Sequence, residues 1–250
     1  MRQLLDHKAL AAILALGCGI WGCGGGGGGG EEEVGEWVRE SIASDNFNRK
    51  NESPWTLSGL WEFDKLPVSV NNGDYSFRNT WETKTDYSLN YNALDSKISP
   101  PQYNYNTDDQ QNLGSATREP INLHGYRNVT LTFWCNYDID DNDLSNALVD
   151  QRTVEIAWEG KQYKVLLRPS GSSDESVYGF SNVDVCSGPE GKWHLHTVDL
   201  ERARESFQQS NWDGMNVSIT FRFDTVDRIN NTGMGWFIED MEVSGEYFYD

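Results

Sequence analysis

Two adjacent carboxylates interrupt an otherwise apolar stretch, GWFIEDMEV, at residues 235 to 243. Burying an unpaired ionised carboxylate costs several kcal/mol, so Glu239 and Asp240 need a bulge, a cation or a wet face. Strict alternation would point one acid inward in either register. A one-residue bulge at Glu239 and Asp240 instead places Trp236, Ile238, Met241 and Val243 on a single face. At that kink the acids can accept hydrogen bonds from freed backbone N–H groups, pair with Arg222 of the preceding strand, or hold a calcium ion.

Other residue types that do chemistry are present, but their spacing is poor. DIDDND, residues 138 to 143, offers oxygens at Asp138, Asp140 and Asn142. It fails the EF-hand pattern, because Asp143 stands where Gly is needed and Val149 where the bidentate Glu should be, so it reads as a solvated acidic loop. His194 and His196 lie on one side of a strand without a third ligand at a recognisable spacing, and are read as solvent-facing. Glu155 and Glu159 share a strand face but would stand about 13 Å apart, whereas a glycosidase pair needs about 5 to 9 Å. No HExxH, G-x-S-x-G or P-loop occurs, so metallopeptidase, serine hydrolase and nucleotidase readings lack their minimal residues.

Aromatic side chains are the remaining candidates. Trp134 lies opposite the core residues of its strand, and Phe237 joins that side once the bulge is granted, a platform for a sugar ring or an aromatic side chain. Tyr103 and Tyr105, in an Asn-rich polar stretch, are candidates for an exposed ligand contact, because loops on a rigid scaffold carry recognition.

The elements that must position these residues are strands. Ten Trp and 11 Tyr are spread among Asn, Asp, Ser and Thr, which favours a twisted all-β domain. NVTLTFWCNYDI places Val129, Leu131, Phe133, Cys135, Tyr137 and Ile139 on one face, and VSITFRFD places Val217, Ile219, Phe221 and Phe223 on one. TVEIAW and QYKVLL flank Glu159, Gly160 and Lys161 as a hairpin. Further strands are expected at GLWEF, YSFRNTW, EPINL and WHLHTVDL. Val34, Trp37, Val38 and Ile42 recur at helical spacing with acids in the first turn, so a short N-terminal helix docking on the domain is expected.

The net charge of −19 would repel a polyanion over most of the surface, and nucleic acid is not an expected partner. At the N-terminus, Arg2 and Lys8 precede ALAAILALGCGIW and CGGGGGGG. The apolar run is shorter than the ~20 residues a spanning helix needs, so it reads as an export signal. It resembles a bacterial lipoprotein signal, which implies a lipid-modified Cys and a protein anchored at the cell envelope. Cys23 is favoured over the alternative Cys18, because it leaves Cys135 and Cys186 as an even pair, expected to form a disulfide in an exported chain. Gly24 to Gly30 reads as a tether. The expected organisation is a signal peptide at 1–22, lipidated Cys, tether and helix at 23–44, and one β-sandwich at 45–250.

Three stretches resemble the jelly-roll accessory domain of the immune inhibitor A metallopeptidases, related to MAM-type and concanavalin-like sandwiches. They are SPWTLSGLWEF at 53 to 63, NLGSATREPINL with VTLTFWCNYDID, and VSITFRFDTVDRINNTGMGWFIEDMEV. DSKISPPQYNYNTDDQQ and ERARESFQQSNW depart from that pattern. The resemblance implies a non-catalytic binding or spacer domain, often calcium-stabilised. The expectation is therefore an all-β, two-sheet antiparallel jelly-roll on a surface lipoprotein, binding a glycan or an extracellular protein. A secreted glycan hydrolase or lyase on the same scaffold is the alternative, and a structural envelope protein a third.

Overall fold

The computed structural model describes residues 35–47, 54–65, 87–95, 102–104, 112–139, 150–169, 183–186, 193–225, 233 and 235–250. In chain order its elements are β1 (Glu36–Asp45), β2 (Trp55–Leu57), β3 (Trp61–Lys65), β4 (Tyr87–Tyr91), β5 (Ala93–Asp95), β6 (Gln102–Asn104), β7 (Leu113–Asn122) and β8 (Tyr126–Asp138). There follow β9 (Gln151–Trp158), β10 (Lys161–Pro169), β11 (Val183–Cys186), β12 (His194–Asp199), α1 (Leu200–Ser206), β13 (Asn216–Asp224) and β14 (Gly235–Tyr249). One sheet runs β12-β8-β14-β4-β3 with β1 also on β14, and the other runs β11-β10-β9-β13-β7-β2. Every pairing in the two sheets is antiparallel except β10 with β11. The chain is thus a two-sheet jelly-roll sandwich, as its period of two predicts.

The inner faces meet in an aromatic core. Leu131, Phe133 and Tyr137 of β8, Trp236 and Ile238 of β14, and Val217, Ile219, Phe221 and Phe223 of β13 are all buried there. Phe221 takes Phe133 edge-on at 5.0 Å and Trp236 edge-on at 5.7 Å, the arrangement that opposes a positive ring edge to a negative ring face. Glu159 and Gly160 form the expected hairpin turn, both with positive φ, the backbone twist that suits a two-residue connection.

The helix expected over Val34 to Ile42 does not form. Residues Glu36–Asp45 are a strand, paired along the C-terminal half of β14 from Glu36↔Tyr249 to Asp45↔Met241. Nine ladder pairs outweigh the modest preference of a short amphipathic segment for helix, which rarely persists alone at this length. The compact unit accordingly begins at Gly35 and takes in β1. Among the described residues the helix is α1, capped by Asp199, whose Oδ1 accepts the Glu201 N–H at 3.0 Å.

Candidate functional site

The bulge in β14 is present where the carboxylate pair required it. Glu239 pairs with Trp134 and Glu242 with Thr132, so Asp240 and Met241 together oppose Phe133. Asp240 carries the strain, with φ at 45°. Trp236, Ile238, Met241 and Val243 all reach the core, as the bulge predicts. The same point is where β14 changes neighbour: β4 lies beside Trp236 to Ile238, and β1 beside Met241 to Tyr249.

That geometry fixes what faces outward from the β8–β14 sheet. Leu195, Trp134 and Glu239 form one cross-strand row over β12, β8 and β14. Asn136, Phe237, Asn90 and Glu62 form the next, over β8, β14, β4 and β3. Trp134 is 38% exposed and Leu195 53%, so the first row offers an apolar surface to solvent. In the second row and beside it, Asn136, Asn90, Ser88, Phe237 and Glu239 are buried. Neither Oδ1 nor Nδ2 of Asn136 has a hydrogen-bond partner, and Oδ1 of Asn90 and Oγ of Ser88 are likewise unsatisfied. Asn90 Nδ2 donates to Asn92 Oδ1 at 3.2 Å. Unmade hydrogen bonds at buried atoms cost about 1–3 kcal/mol each, and native structures hold few of them. An amide donates twice and accepts twice, which suits the paired hydroxyls of a sugar, while an indole face takes its C–H side.

The sequence-predicted residues divide accordingly. Trp134 is on this surface. Phe237 shares its side of the sheet but is buried, so it is no open platform. Tyr105 and the side chain of Tyr103 lie outside the described residues, as do Asp140, Asn142 and Asp143. Arg222 cannot pair with Glu239. Its strand, β13, belongs to the other sheet, and Arg222 alternates with the core residues Phe221 and Phe223, so it points out from the opposite side of the sandwich. Asn136, Asn90, Ser88 and Leu195 went unnoticed in the sequence, although Asn136 falls on the same alternation that singled out Trp134.

His194 and His196 do share a side of β12, but it is the inner one. His196 is buried with its ring 5.4 Å from that of Phe133, and His194 Nε2 lies 3.0 Å from Sγ of Cys135. The antiparallel register His194↔Cys135 and His196↔Phe133 dictates this, since paired residues share a face. Cys135 is a buried thiol in this structure, and the expected bridge to Cys186 is not formed. The two lie on strands of different sheets, β8 and β11, and the side chain of Cys186 is outside the described residues.

Glu155 is nearly buried on the outer side of the other sheet, 3.0 Å from Nζ of Lys164, and Glu159 occupies the hairpin turn. An open cavity of about 440 Å³ adjoins the β14 bulge, lined by Ser41, Ser44, Asp45, Asn46, Asp240, Met241 and Glu242. Asp45 accepts from the Phe47 N–H at 2.9 Å and from Trp55 Nε1 at 3.0 Å. Among the described residues no three His, Cys, Asp or Glu side chains converge as a metal site.

No family model matches the chain, and no curated protein matches it. Solved structures do. TmCBM61 in complex with β-1,4-galactotriose is similar over 82% of this chain and 97% of its own, at 11% identity and a TM-score of 0.44. The enzymatically active domain of tailspike protein 4 of bacteriophage CBA120 is similar over 82% of this chain and 21% of its own, at 11% identity and 0.40. The K1 cleaved adhesin domain of Lys-gingipain from Porphyromonas gingivalis W83 covers 82% of this chain and 97% of its own, at 14% identity and 0.38. Likenesses this distant add nothing to the sandwich already described, and the chemistry of the outer face stands on its own residues.

Proposed function

We propose that the protein is a non-catalytic binding domain that takes a carbohydrate chain on the outer face of the β8–β14 sheet. The exposed row carries this reading: Trp134 and Leu195 stand paired and open to solvent on the outer face, and Asn136, two positions along β8 from Trp134, is a buried amide with neither polar atom hydrogen-bonded. A saccharide would lay its C–H face on Trp134, and its hydroxyls would meet Asn136, Asn90 and Ser88 only once those buried groups are uncovered by binding. The N-terminal signal supports export and lipid attachment at Cys23, with Cys18 as the alternative, and so a place at the cell envelope.

The hydrolase alternative has less support among the described residues. Glu155 is committed to Lys164 on the opposite sheet, and Glu159 sits in a turn. The test is a glycan array with residues 31–250, repeated with Trp134→Ala and Asn136→Leu. Retention of a defined set of glycans, lost in both variants, is the expected result. Retention by neither parent nor variants, or equal retention by all three, would overturn the reading. Binding to extracellular proteins but to no glycan would assign the face to a protein ligand, and turnover of a bound glycan would restore the enzyme.

A further inference from the structure

Of the seven large hydrophobic side chains exposed among the described residues, four lie together at the paired ends of β1 and β14: Trp37, Val38, Phe248 and Tyr249. Trp37 and Phe248 are directly opposed, with ring centroids 5.2 Å apart and 42% and 40% exposed. Val38 and Tyr249 alternate onto the other side of the same two-stranded end. The described pairing of β8 with β14 stops at Tyr247↔Tyr126, so beyond it the two strands form a ribbon tip with apolar groups on both faces. Isolated exposed hydrophobics are ordinary on a protein surface, whereas four at one tip are a patch that calls for an occupant.

Of the ionic groups around the tip, Arg39, Glu40, Arg127 and Glu246 are engaged, while Glu36, opposite Tyr249, and Asp250 are exposed carboxylates. Arg127 stacks over the Trp37 ring at 3.5 Å and pairs with Glu246 at 3.0 Å. Arg39 donates to the Asn128 carbonyl at 3.2 Å, to Ser244 Oγ at 3.0 Å, and to Thr130 Oγ1. Glu40 accepts from the hydroxyls of Tyr126 and Tyr249. What the tip offers is aromatic rings edged with hydroxyl and amide groups, the chemistry of side chains that settle at the boundary between headgroups and acyl chains.

The chain's own course says which boundary. Gly35 opens the described unit, and a methyl group in place of its hydrogen would overlap the Phe248 ring, so the polypeptide arrives at this tip and nowhere else on the sandwich. Only residues 24 to 34 separate Gly35 from Cys23. Eleven residues span at most about 40 Å fully extended and about 18 Å as a Gly-rich coil. We infer that the Trp37–Phe248 tip rests in the headgroup region of the bilayer to which Cys23 is anchored, as a contact with neutral lipid. The inference rests on lipid attachment at Cys23 and not on the saccharide reading.

Two measurements separate the anchor from the tip. Mass analysis of the mature chain reports acylation of Cys23. Independently, residues 31–250, which contain the compact unit from Gly35, are floated with phosphatidylcholine vesicles whose acyl chains carry bromine. Flotation should survive about 0.5 M salt, because no ion pair with lipid is involved. Tryptophan fluorescence should be quenched in the parent and less so in Trp37→Phe, which keeps the ring packing. Trp37→Ser with Phe248→Ser should lower the partition coefficient about tenfold or more, from the apolar area withdrawn. A parent that does not float, or a double variant that floats equally, overturns the inference. So does concentration-dependent dimerisation that the double variant abolishes, since that gives the tip to a second copy. A parent that floats while Cys23 proves unacylated also overturns it, since the bilayer at the tip is then not the one that holds the chain.

Discussion

Trp134 stands directly opposite Glu239 on the β8–β14 ladder, the last matched pair before β14 bulges. The indole is open to solvent and the carboxylate is buried beside it, so within one cross-strand row the outer face passes from an apolar platform to a polar interior. Removing the bulge would exchange the faces of everything before or after it, and the platform would lose its polar neighbour.

Trp134→Ala and Trp236→Ala separate binding from folding. Trp236 is fully buried against Trp61 at 5.5 Å and Phe221 at 5.7 Å, and its loss should cost about 3–5 kcal/mol. Trp134 is partly exposed, and its removal should cost under about 1.5 kcal/mol while abolishing glycan retention. Urea unfolding of the two variants beside the glycan array checks both.

Asn136→Leu should act in opposite directions on stability and binding. Replacing an unsatisfied buried amide by an apolar group of similar volume leaves stability unchanged or raises it by about 1 kcal/mol. The same change removes two donors and an acceptor from the face, and affinity for the retained glycan should fall about tenfold or more. A variant that melts lower and binds normally would mark Asn136 as a structural residue.

Asp240 holds a positive φ that side chains other than Gly, Asn and Asp resist. Asp240→Val should therefore cost about 1–2 kcal/mol, while Asp240→Gly should be neutral or slightly stabilising. Asp240→Asn keeps the backbone tolerance and deletes the charge, and so carries the calcium proposal as well. Calcium bound at the bulge requires the melting midpoint to rise with calcium in the parent and not in Asp240→Asn, since a ligand of the native state alone must raise it.

Tyr126 donates to Glu40 at 2.5 Å and Tyr249 to the same carboxylate at 2.8 Å. These two bonds hold Glu40 below the ordinary carboxylate range, and the bond to Glu40 pushes Tyr126 up to about 12. A raised phenol contributes stability that is complete below its unfolded value near 10 and is lost as pH climbs through about 12. Glu40 contributes above its unfolded value and loses that contribution as pH falls through its lower folded one. Glu40→Gln should bring the Tyr126 midpoint down toward 10, read as the difference in phenolate absorbance between each protein and its Tyr126→Phe counterpart.

Local pattern determined much of this protein. Alternation in NVTLTFWCNYDI and VSITFRFD announced β8 and β13, the Glu159–Gly160 turn announced the β9–β10 hairpin, and two acids amid apolar residues announced the bulge, because each is a matter of neighbours along the chain. What only the tertiary structure decided concerns partners far apart in sequence. Glu36–Asp45 reads as a helix until β14, some two hundred residues later, supplies a strand edge to lie on. His194 and His196 read as solvated until the register with β8 turns them inward. Arg222, on the preceding strand, reads as one of several partners open to Glu239 until β13 and β14 enter different sheets. Whether Asn136 is wet, bonded or left unsatisfied depends on strands β4, β8 and β14 at once, and period-two patterning assigns a side chain to a face without saying what shares it.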